Sequence, residues 1–263
     1  METGVLKKMS AVLEEAVNYT LQFSTPIKLN DILGQSITVN WTGRLFCQSC
    51  GKQTKKSFGD GFCYPCFSSS ADASECIIRP ELCRAHLGEG RDPEWEQVHH
   101  NVSHVVYLAA TDVVKVGVTR SSQVPTRWID QGASAAIKLA ITPNRYEAGV
   151  LEVALKSFFT DKTNWQRMLK NEIDTSIDLT EEKWSLFDQL PMDMQTYFTE
   201  DDEVTEFNYP VLEYPTRLTS MNFEKTQSIS GTLQGIRGQY LIFEGGYVFN
   251  VRRHTGYEVN ISF

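Results

Sequence analysis

Four cysteines lie at a spacing that is typical of metal ligands. The stretch CQSCGKQTKKSFGDGFCYPC holds two CxxC pairs separated by twelve residues, formed by Cys47, Cys50, Cys63 and Cys66. Two thiolates three residues apart can bind one ion when the turn between them is tight, and four thiolates leave no open coordination position. Because soft sulfur ligands select zinc over magnesium or calcium, the spacing predicts a structural zinc site. An iron–sulfur cluster is the alternative.

The residues around these cysteines have roles of their own. Gly51 and Gly61 lie beside the two turns, where we expect backbone dihedrals that only glycine adopts easily. The loop between the pairs carries three basic residues that can contact phosphates of a nucleic acid, namely Lys52, Lys55 and Lys56.

A second, looser group of metal-binding residue types follows. Cys76 and Cys83 lie in CIIRPELC, and His86 comes three residues later. These three form a candidate second zinc site, and the fourth ligand is left open among His99, His100 and His104. The competing interpretation is that these residues are simply packed in a core, because the spacing is not that of a known motif.

Composition sets the class of protein. Hydrophobic residues make up 41% of the 263 residues and charged residues 22%, which is ordinary for a globular chain. No segment approaches the roughly 18 consecutive apolar residues of a membrane span. Glu14 and Glu15 stand where a signal peptide needs an apolar run. We therefore expect a cytoplasmic protein with no membrane partner, whose six cysteines are reduced thiols or metal ligands.

The net charge of −8 hides an uneven distribution. Residues 171–215 hold one basic residue against 13 acidic residues, whereas residues 104–170 hold nine against five. The middle of the chain is thus mildly basic, and net charge alone does not exclude a nucleic-acid partner. The acidic run is typical of a solvated helix and linker.

The patterning predicts an α+β protein with five segments. They are an N-terminal helix and β segment (1–46), a zinc ribbon or knuckle (47–103), an α/β module (104–170), an acidic helical segment (171–215) and a C-terminal antiparallel β domain (216–263). We expect a helix within residues 5–22 before a strand, a hairpin over residues 36–46, and mainly helix over residues 163–198. Glycine-punctuated runs over residues 228–263 predict a four-stranded sheet, which the N-terminal strands complete into a barrel.

The 104–170 module has the most regular pattern. HVVYLAA (104–110) and VVKVGVT (113–119) predict a hairpin, because a two-residue break separates two β-branched runs. PTRWIDQGA (125–133) predicts a short helix, and residues 135–142, which contain AIKLAIT, predict a third strand. RYEAGVLEVALKSFF (145–159) predicts a helix with one apolar face, formed by Val150, Leu151, Ala154, Leu155 and Phe158. The expected product is a three-stranded sheet with helices.

This module resembles the GIY-YIG endonucleases. Val105-Val106-Tyr107 stands at the first motif of that family, and Lys115-Val116-Gly117 stands at the second, with Lys115 in place of its tyrosine. Arg127 on the next helix and Glu152 on the helix after the third strand match the family's arginine and glutamate. Longer strings across the chain are also similar to an uncharacterised bacterial family of unknown function; these are KVGVTR, PTRWIDQGA, DKTNWQRML and CGKQTKKSF.

The resemblance implies a metal-dependent nuclease that acts on DNA or RNA. Glu152 would hold one Mg²⁺ or Mn²⁺, Arg127 would clamp the phosphate, and Tyr107 would orient or deprotonate the attacking water. Lys115 would replace the missing tyrosine and Gly117 would let the backbone approach the substrate, with further phosphate contacts from Arg120 and Arg145.

Each of these residues also has an ordinary structural interpretation. Tyr107 fits a core tyrosine, Lys115 a solvent-facing hairpin residue, and Glu152 a solvated surface charge, with Glu147 as a rival carboxylate. The alternative is accordingly a zinc-containing protein without catalytic activity, built on a degenerate nuclease scaffold. Its function would be to bind nucleic acid or to act as a regulatory protein.

Overall fold

The computed structural model describes residues 1–159, 164–174 and 176–263. The start of the DKTNWQRML string, residues 161–163, lies outside the described residues. The chain divides into two compact units, the first formed by residues 1–69 and 208–263, the second by residues 70–207. Both units mix strands and helices, so the protein is of the α+β class.

The described strands and helices are as follows. The strands are β1 (Glu2–Val5), β2 (Ser10–Leu13), β3 (Val17–Leu21), β4 (Ile27–Lys28), β5 (Ser36–Leu45), β6 (His104–Ala110), β7 (Val114–Arg120), β8 (Ala135–Thr142), β9 (Val204–Glu206), β10 (Thr219–Met221), β11 (Ser228–Arg237), β12 (Tyr240–Phe243), β13 (Tyr247–Asn250) and β14 (Tyr257–Ser262). The helices are α1 (Tyr64–Ser69), α2 (Pro93–His99), α3 (Thr126–Asp130), α4 (Arg145–Lys156), α5 (Trp165–Leu169), α6 (Leu179–Phe187) and α7 (Met192–Gln195).

The first unit is built on a seven-stranded sheet of order β1-β14-β5-β11-β12-β13-β10. The β region predicted over residues 228–263 is confirmed as β11 to β14, and strands from the N-terminal part of the chain do join it. The predicted closed barrel is wrong, because β1 and β10 remain the two edges of this sheet among the described residues. The sheet is also not fully antiparallel, because β10 runs parallel to β13.

The N-terminal residues form strands where a helix was expected. Residues 2–21 contain β1, β2 and β3, and β2, β3 and β4 make a separate three-stranded sheet. β1 and β2 replace the expected helix, whereas β3 is the strand expected after it: its buried residues are Val17, Tyr19 and Leu21, the period of two typical of a strand.

The hairpin expected over residues 36–46 is a single strand. Trp41 lies opposite Val259 and Leu45 lies opposite Tyr257, so three residues of β5 face one residue of β14. Gly43 lies inside this bulge with φ 84°. Thr42-Gly43 therefore bends β5 through a bulge instead of turning it back.

The second unit contains a four-stranded antiparallel sheet of order β7-β6-β8-β9. The predicted hairpin and third strand are confirmed as β6, β7 and β8, and β9 adds a strand that the pattern did not indicate. The two predicted helices are confirmed as α3 and α4. Asn144 begins α4 by accepting a hydrogen bond from the Glu147 N–H at 3.0 Å, which satisfies one of the free amides of the first turn.

A core of aliphatic side chains holds α4 and α6 to the sheet. It includes Val106 and Leu108 of β6, Leu151 and Leu155 of α4, and Leu186 of α6, all nearly inaccessible to solvent. Leu151 and Leu155 belong to the apolar face predicted for α4. Phe158 does not, because α4 ends at Lys156 and leaves that ring exposed.

Within the described ranges, none of the helices combines the length and the apolar character needed to cross a membrane.

Candidate functional site

The first CxxC pair lies directly after β5, where the backbone makes a tight turn. The Cys47 N–H donates to the Lys52 carbonyl and the Gly51 N–H donates to the Cys47 carbonyl, both at 2.9 Å. Gly51 has φ 69°, a left-handed conformation that glycine adopts without strain. The turn aims both thiols of the pair to one side, as its spacing predicts.

The second CxxC pair lies at the start of α1 and is held by a short β-bridge. Phe58 and Phe62 exchange backbone hydrogen bonds of 2.9 and 3.0 Å, and the Gln48 N–H donates to the Gly61 carbonyl at 2.8 Å. Gly61 has φ 112°, and a Cβ there would lie 2.8 Å from Cγ2 of Thr255. The predicted need for glycine at residues 51 and 61 is confirmed.

The four sulfurs converge on one point. All lie within 4.8 Å of one another, and Sγ of Cys50 lies 3.8 Å from Sγ of Cys63. A tetrahedral ion with Zn–S bonds of about 2.3 Å separates its sulfurs by about 3.8 Å. Burial raises the pKa of Cys47, but backbone N–H groups of Cys50, Cys63 and Ser49 outweigh it and lower that pKa to about 6. The cluster can hold a metal such as zinc.

The basic loop of this module is exposed. The side chains of Lys52, Lys55 and Lys56 face solvent, and Nζ of Lys56 lies 5.3 Å from the centre of the Phe58 ring. Arg252 pairs with Asp60 in the same loop at 2.8 Å. The loop is thus anchored in its own unit and presents its lysines outward.

The second group of cysteines also has metal-binding neighbours. Cys76 and Cys83 converge with Glu96 and His100. His100 is thus the one of the three open histidines that joins the group, and Glu96 takes the place for which the sequence offered His86. His86 lies outside this group, with its ring 4.7 Å from that of Tyr146.

The remaining histidines near the second group make other contacts. His99 stacks on Trp95, with ring centres 3.9 Å apart. His104 contacts the Val102 carbonyl through Nδ1 at 2.6 Å, and burial lowers its pKa to about 4. Neither is a member of the group of four.

Tyr107 occupies the middle of the sheet in the second unit and has no exposed surface. It pairs with Gly117 across the hairpin, and a Cβ at residue 117 would lie 2.7 Å from the Tyr107 hydroxyl oxygen. The hydroxyl accepts a hydrogen bond from Nε2 of Gln131, and the ring packs against Trp128 of α3. Glycine at residue 117 therefore makes room for the phenol.

Two charged residues act on the pKa of Tyr107. Burial raises this pKa, while Arg127 acts to lower it. The negative charge of Glu152 acts in the same direction as burial. The charges of Arg127 and Glu152 thus act on the pKa of Tyr107 in opposite directions, and a joint role for these three residues stays a prediction.

Glu152 is a buried carboxylate, only 8% exposed, and not the solvated charge of the alternative interpretation. Nζ of Lys156 lies 3.6 Å from its Oε2. Burial raises the pKa of Glu152, and Lys156 acts against that rise. Glu147, the rival carboxylate, instead acts on Tyr197, whose pKa is raised by burial and by the charge of Glu147.

Three other predicted residues are spread over this unit. Lys115 lies two residues from Gly117 on the same face of β7. Arg120 is half-buried opposite His104 at the end of the hairpin. The Arg145 guanidinium donates to the backbone carbonyls of Cys76 and Ile77, both at 2.8 Å. Arg145 therefore fastens the second cysteine segment to α4.

Sequence reasoning did not identify Gln131 or Glu96 as site residues. Gln131 lies four residues after Arg127, a helical spacing that places both toward one side. Glu96 lies four residues before His100, and the same spacing is a signal for a pair of ligands. Both signals are common in surface helices, so neither singles out a site without the fold.

One protein family matches residues 34–259, and it is described as a protein of unknown function, DUF2797. The chain belongs to this family. The matched range of this DUF2797 protein contains both cysteine clusters and the Tyr107 surroundings, in agreement with the predicted likeness to a family of unknown function. No curated protein and no solved structure matches the chain, and the likeness to GIY-YIG endonucleases stays a prediction.

Proposed function

We propose that this DUF2797 protein hydrolyses phosphodiester bonds of nucleic acid with Mg²⁺ or Mn²⁺, as a GIY-YIG-like nuclease. We also propose that Cys47, Cys50, Cys63 and Cys66 hold a structural zinc. The observation that carries the nuclease proposal is the position of Tyr107: it lies opposite Gly117 and packs on Trp128 of α3, the helix of Arg127, and both Arg127 and Glu152 act on its pKa.

The three groups have complementary chemistry. Phosphodiester hydrolysis needs a cation beside the phosphate, a ligand for a divalent ion and a group that orients water. The Arg127 guanidinium, planar and permanently charged, suits a phosphate. The Glu152 carboxylate is the ligand for the divalent ion, which would supply charge neutralisation at the phosphate.

Tyr107 acts in this proposal as a hydrogen-bond donor. Because burial raises its pKa, the phenol keeps its proton at neutral pH and orients water without deprotonating it. Gln131 holds the phenol oxygen. Lys115, on the same face as Gly117, contributes positive charge where the related motif has its tyrosine.

The second candidate is a protein that binds nucleic acid without cutting it. Two observations favour it: Tyr107 is fully covered, and Lys156 already pairs with the Glu152 carboxylate. In this case the exposed lysines of the zinc module would carry the phosphate contacts, and affinity would fall steeply with salt.

One assay separates the two functions. Labelled DNA and RNA, single- and double-stranded, are incubated with the purified full chain in Mg²⁺, in Mn²⁺ and without a divalent ion. The nuclease proposal expects cleavage that depends on the ion and falls about a hundredfold or more in Glu152→Gln. Binding without cleavage in every ion favours the second candidate, and cleavage unaffected by Glu152→Gln contradicts the assigned site.

A further inference from the structure

Four buried side chains of metal-binding types meet in the second unit. Cys76 lies in a 3-10 turn and Cys83 follows the next such turn, while Glu96 and His100 lie one helical turn apart at the end of α2. Their donor atoms lie within 4.8 Å of one another, and each residue is buried. The group thus draws on three separate stretches of chain.

The distances in this group are those of ligands around one ion. Sγ of Cys76 lies 3.7 Å from Nδ1 of His100, and Nδ1 of His100 lies 3.6 Å from Oε2 of Glu96. The second distance is too long for a hydrogen bond between nitrogen and oxygen. A tetrahedral zinc with bonds of about 2.0–2.3 Å separates its ligand atoms by about 3.3–3.8 Å.

The charges of these side chains also favour a bound cation. A buried carboxylate beside two buried thiols is costly unless a cation is near. The adjacent Arg145 guanidinium supplies one positive charge, and its hydrogen bonds go to the carbonyls of Cys76 and Ile77. Two thiolates and one carboxylate carry three negative charges. A dication together with Arg145 would balance them.

Hydrogen bonds from neighbouring groups orient these side chains, as is usual for the ligands of protein-bound metals. The Ser74 hydroxyl lies 3.2 Å from Sγ of Cys76. The Arg91 N–H donates to Oε1 of Glu96 at 2.9 Å, which leaves Oε2 facing His100. A side chain at Gly90 would overlap with the Glu96 carboxylate, so the loop fixes that carboxylate closely.

The segment that carries Cys76 and Cys83 has little regular secondary structure and little apolar core of its own. Between residues 70 and 88 the described backbone forms only short 3-10 turns. The apolar cluster here is small, with Cys76, Cys83 and Ala85 packed against Tyr146. Small segments with so little apolar burial commonly fold around a structural metal.

We propose that Cys76, Cys83, Glu96 and His100 bind a second zinc ion in a closed, structural site. Two thiolates and an imidazole favour zinc over harder cations, and four protein ligands leave no open position. The ion ties residues 76–83 to α2 and so holds Pro80 and Glu81 against Gly149 of α4, three residues before Glu152.

The metal content of the purified full chain tests this site directly, by inductively coupled plasma mass spectrometry without added chelator. The expected result is two zinc ions per chain. Cys83→Ser and His100→Ala should each retain about one zinc ion, that of the first cysteine cluster. Cys50→Ser should lose that ion and retain the zinc of the second site. His86→Ala is the matched control: it removes a nearby histidine outside the group and should retain both.

Wild-type protein with a single zinc that Cys50→Ser removes would overturn the proposal, as would two zincs retained in Cys83→Ser and His100→Ala. If those variants do not fold, X-ray absorption of the wild-type zinc decides. Two sites give a mixed shell of sulfur and nitrogen or oxygen, whereas the first cluster alone gives sulfur only. Neither readout depends on nuclease activity, so the second zinc site is tested separately from the proposed function.

Discussion

At the residue scale, the proposed chemistry depends on a carboxylate and a phenol whose pKa values are raised by burial. Glu152 and Tyr107 are both nearly or fully covered, and burial raises the pKa of each. The phenol therefore stays a donor at neutral pH. The carboxylate, in contrast, loses its charge at a higher pH than an ordinary glutamate, whose pKa is about 4.5.

The pH profile of cleavage should report Glu152. Because the ionised form binds the divalent ion, activity should fall as the pH drops through the raised pKa. The positive charge of Lys156 lowers that pKa, so Lys156→Ala should move the acidic limb of kcat/KM to higher pH. Lys156→Arg keeps the charge and should leave the limb in place. An acidic limb that is unmoved by Lys156→Ala would show that Glu152 does not set it.

At the element scale, α4 is clamped between the sheet and the second cysteine segment. Leu151 and Leu155 face the core, while Gly149 lies directly against the backbone of Pro80 and Glu81. Arg145 at the first turn binds the Cys76 and Ile77 carbonyls. The position of Glu152 is therefore set from both sides of its helix.

The substitution Gly149→Ala tests whether helix propensity or close packing has the larger effect on stability at this position of α4. Alanine should stabilise a helix interior by about 1 kcal/mol over glycine, but its Cβ would overlap with backbone that cannot simply rotate away. We expect a net loss of about 1–3 kcal/mol in the free energy of unfolding, measured by urea denaturation. Val153→Ala, on the exposed side of α4, is the control and should change stability by less than about 0.5 kcal/mol. Stabilisation by Gly149→Ala would contradict the close contact.

The elements that could be predicted from sequence are those with local signals. β6, β7, β8, α3 and α4 follow from β-branched runs, turn residues and apolar periodicity, and the first cysteine cluster follows from two local CxxC turns.

The parts that were missed depend on contacts distant in sequence. The pairing of Glu2 with Ile261 at the sheet edge has no local signature. Thr42-Gly43 has the composition of a turn but forms a bulge, because β14 continues alongside it. The second cluster takes His100 from the three histidines left open, and Glu96 instead of His86, because the fold, and not the spacing, brings α2 to Cys76 and Cys83.

At the scale of the whole molecule, each unit carries one group of metal-binding residues within the described ranges, with two sheets in the first unit and one in the second. The first cysteine cluster belongs to residues 1–69, and the second cluster belongs to residues 70–207, together with Tyr107, Arg127 and Glu152. The net charge of the chain is negative because residues 171–215 hold 13 acidic residues against one basic residue. The 104–170 region keeps a positive balance that is compatible with a nucleic-acid substrate.

The central claim is that Arg127 and Glu152 act as one site. The most direct test is the single-turnover cleavage rate of wild type, Arg127→Ala, Glu152→Gln and the double variant, all with unchanged zinc content. Residues that act as a unit are strongly non-additive, so we predict that each single variant is at least about a hundredfold slower and that the double variant is no slower than the worse single one. Effects that multiply in the double variant, or rates equal to wild type, would contradict the claim.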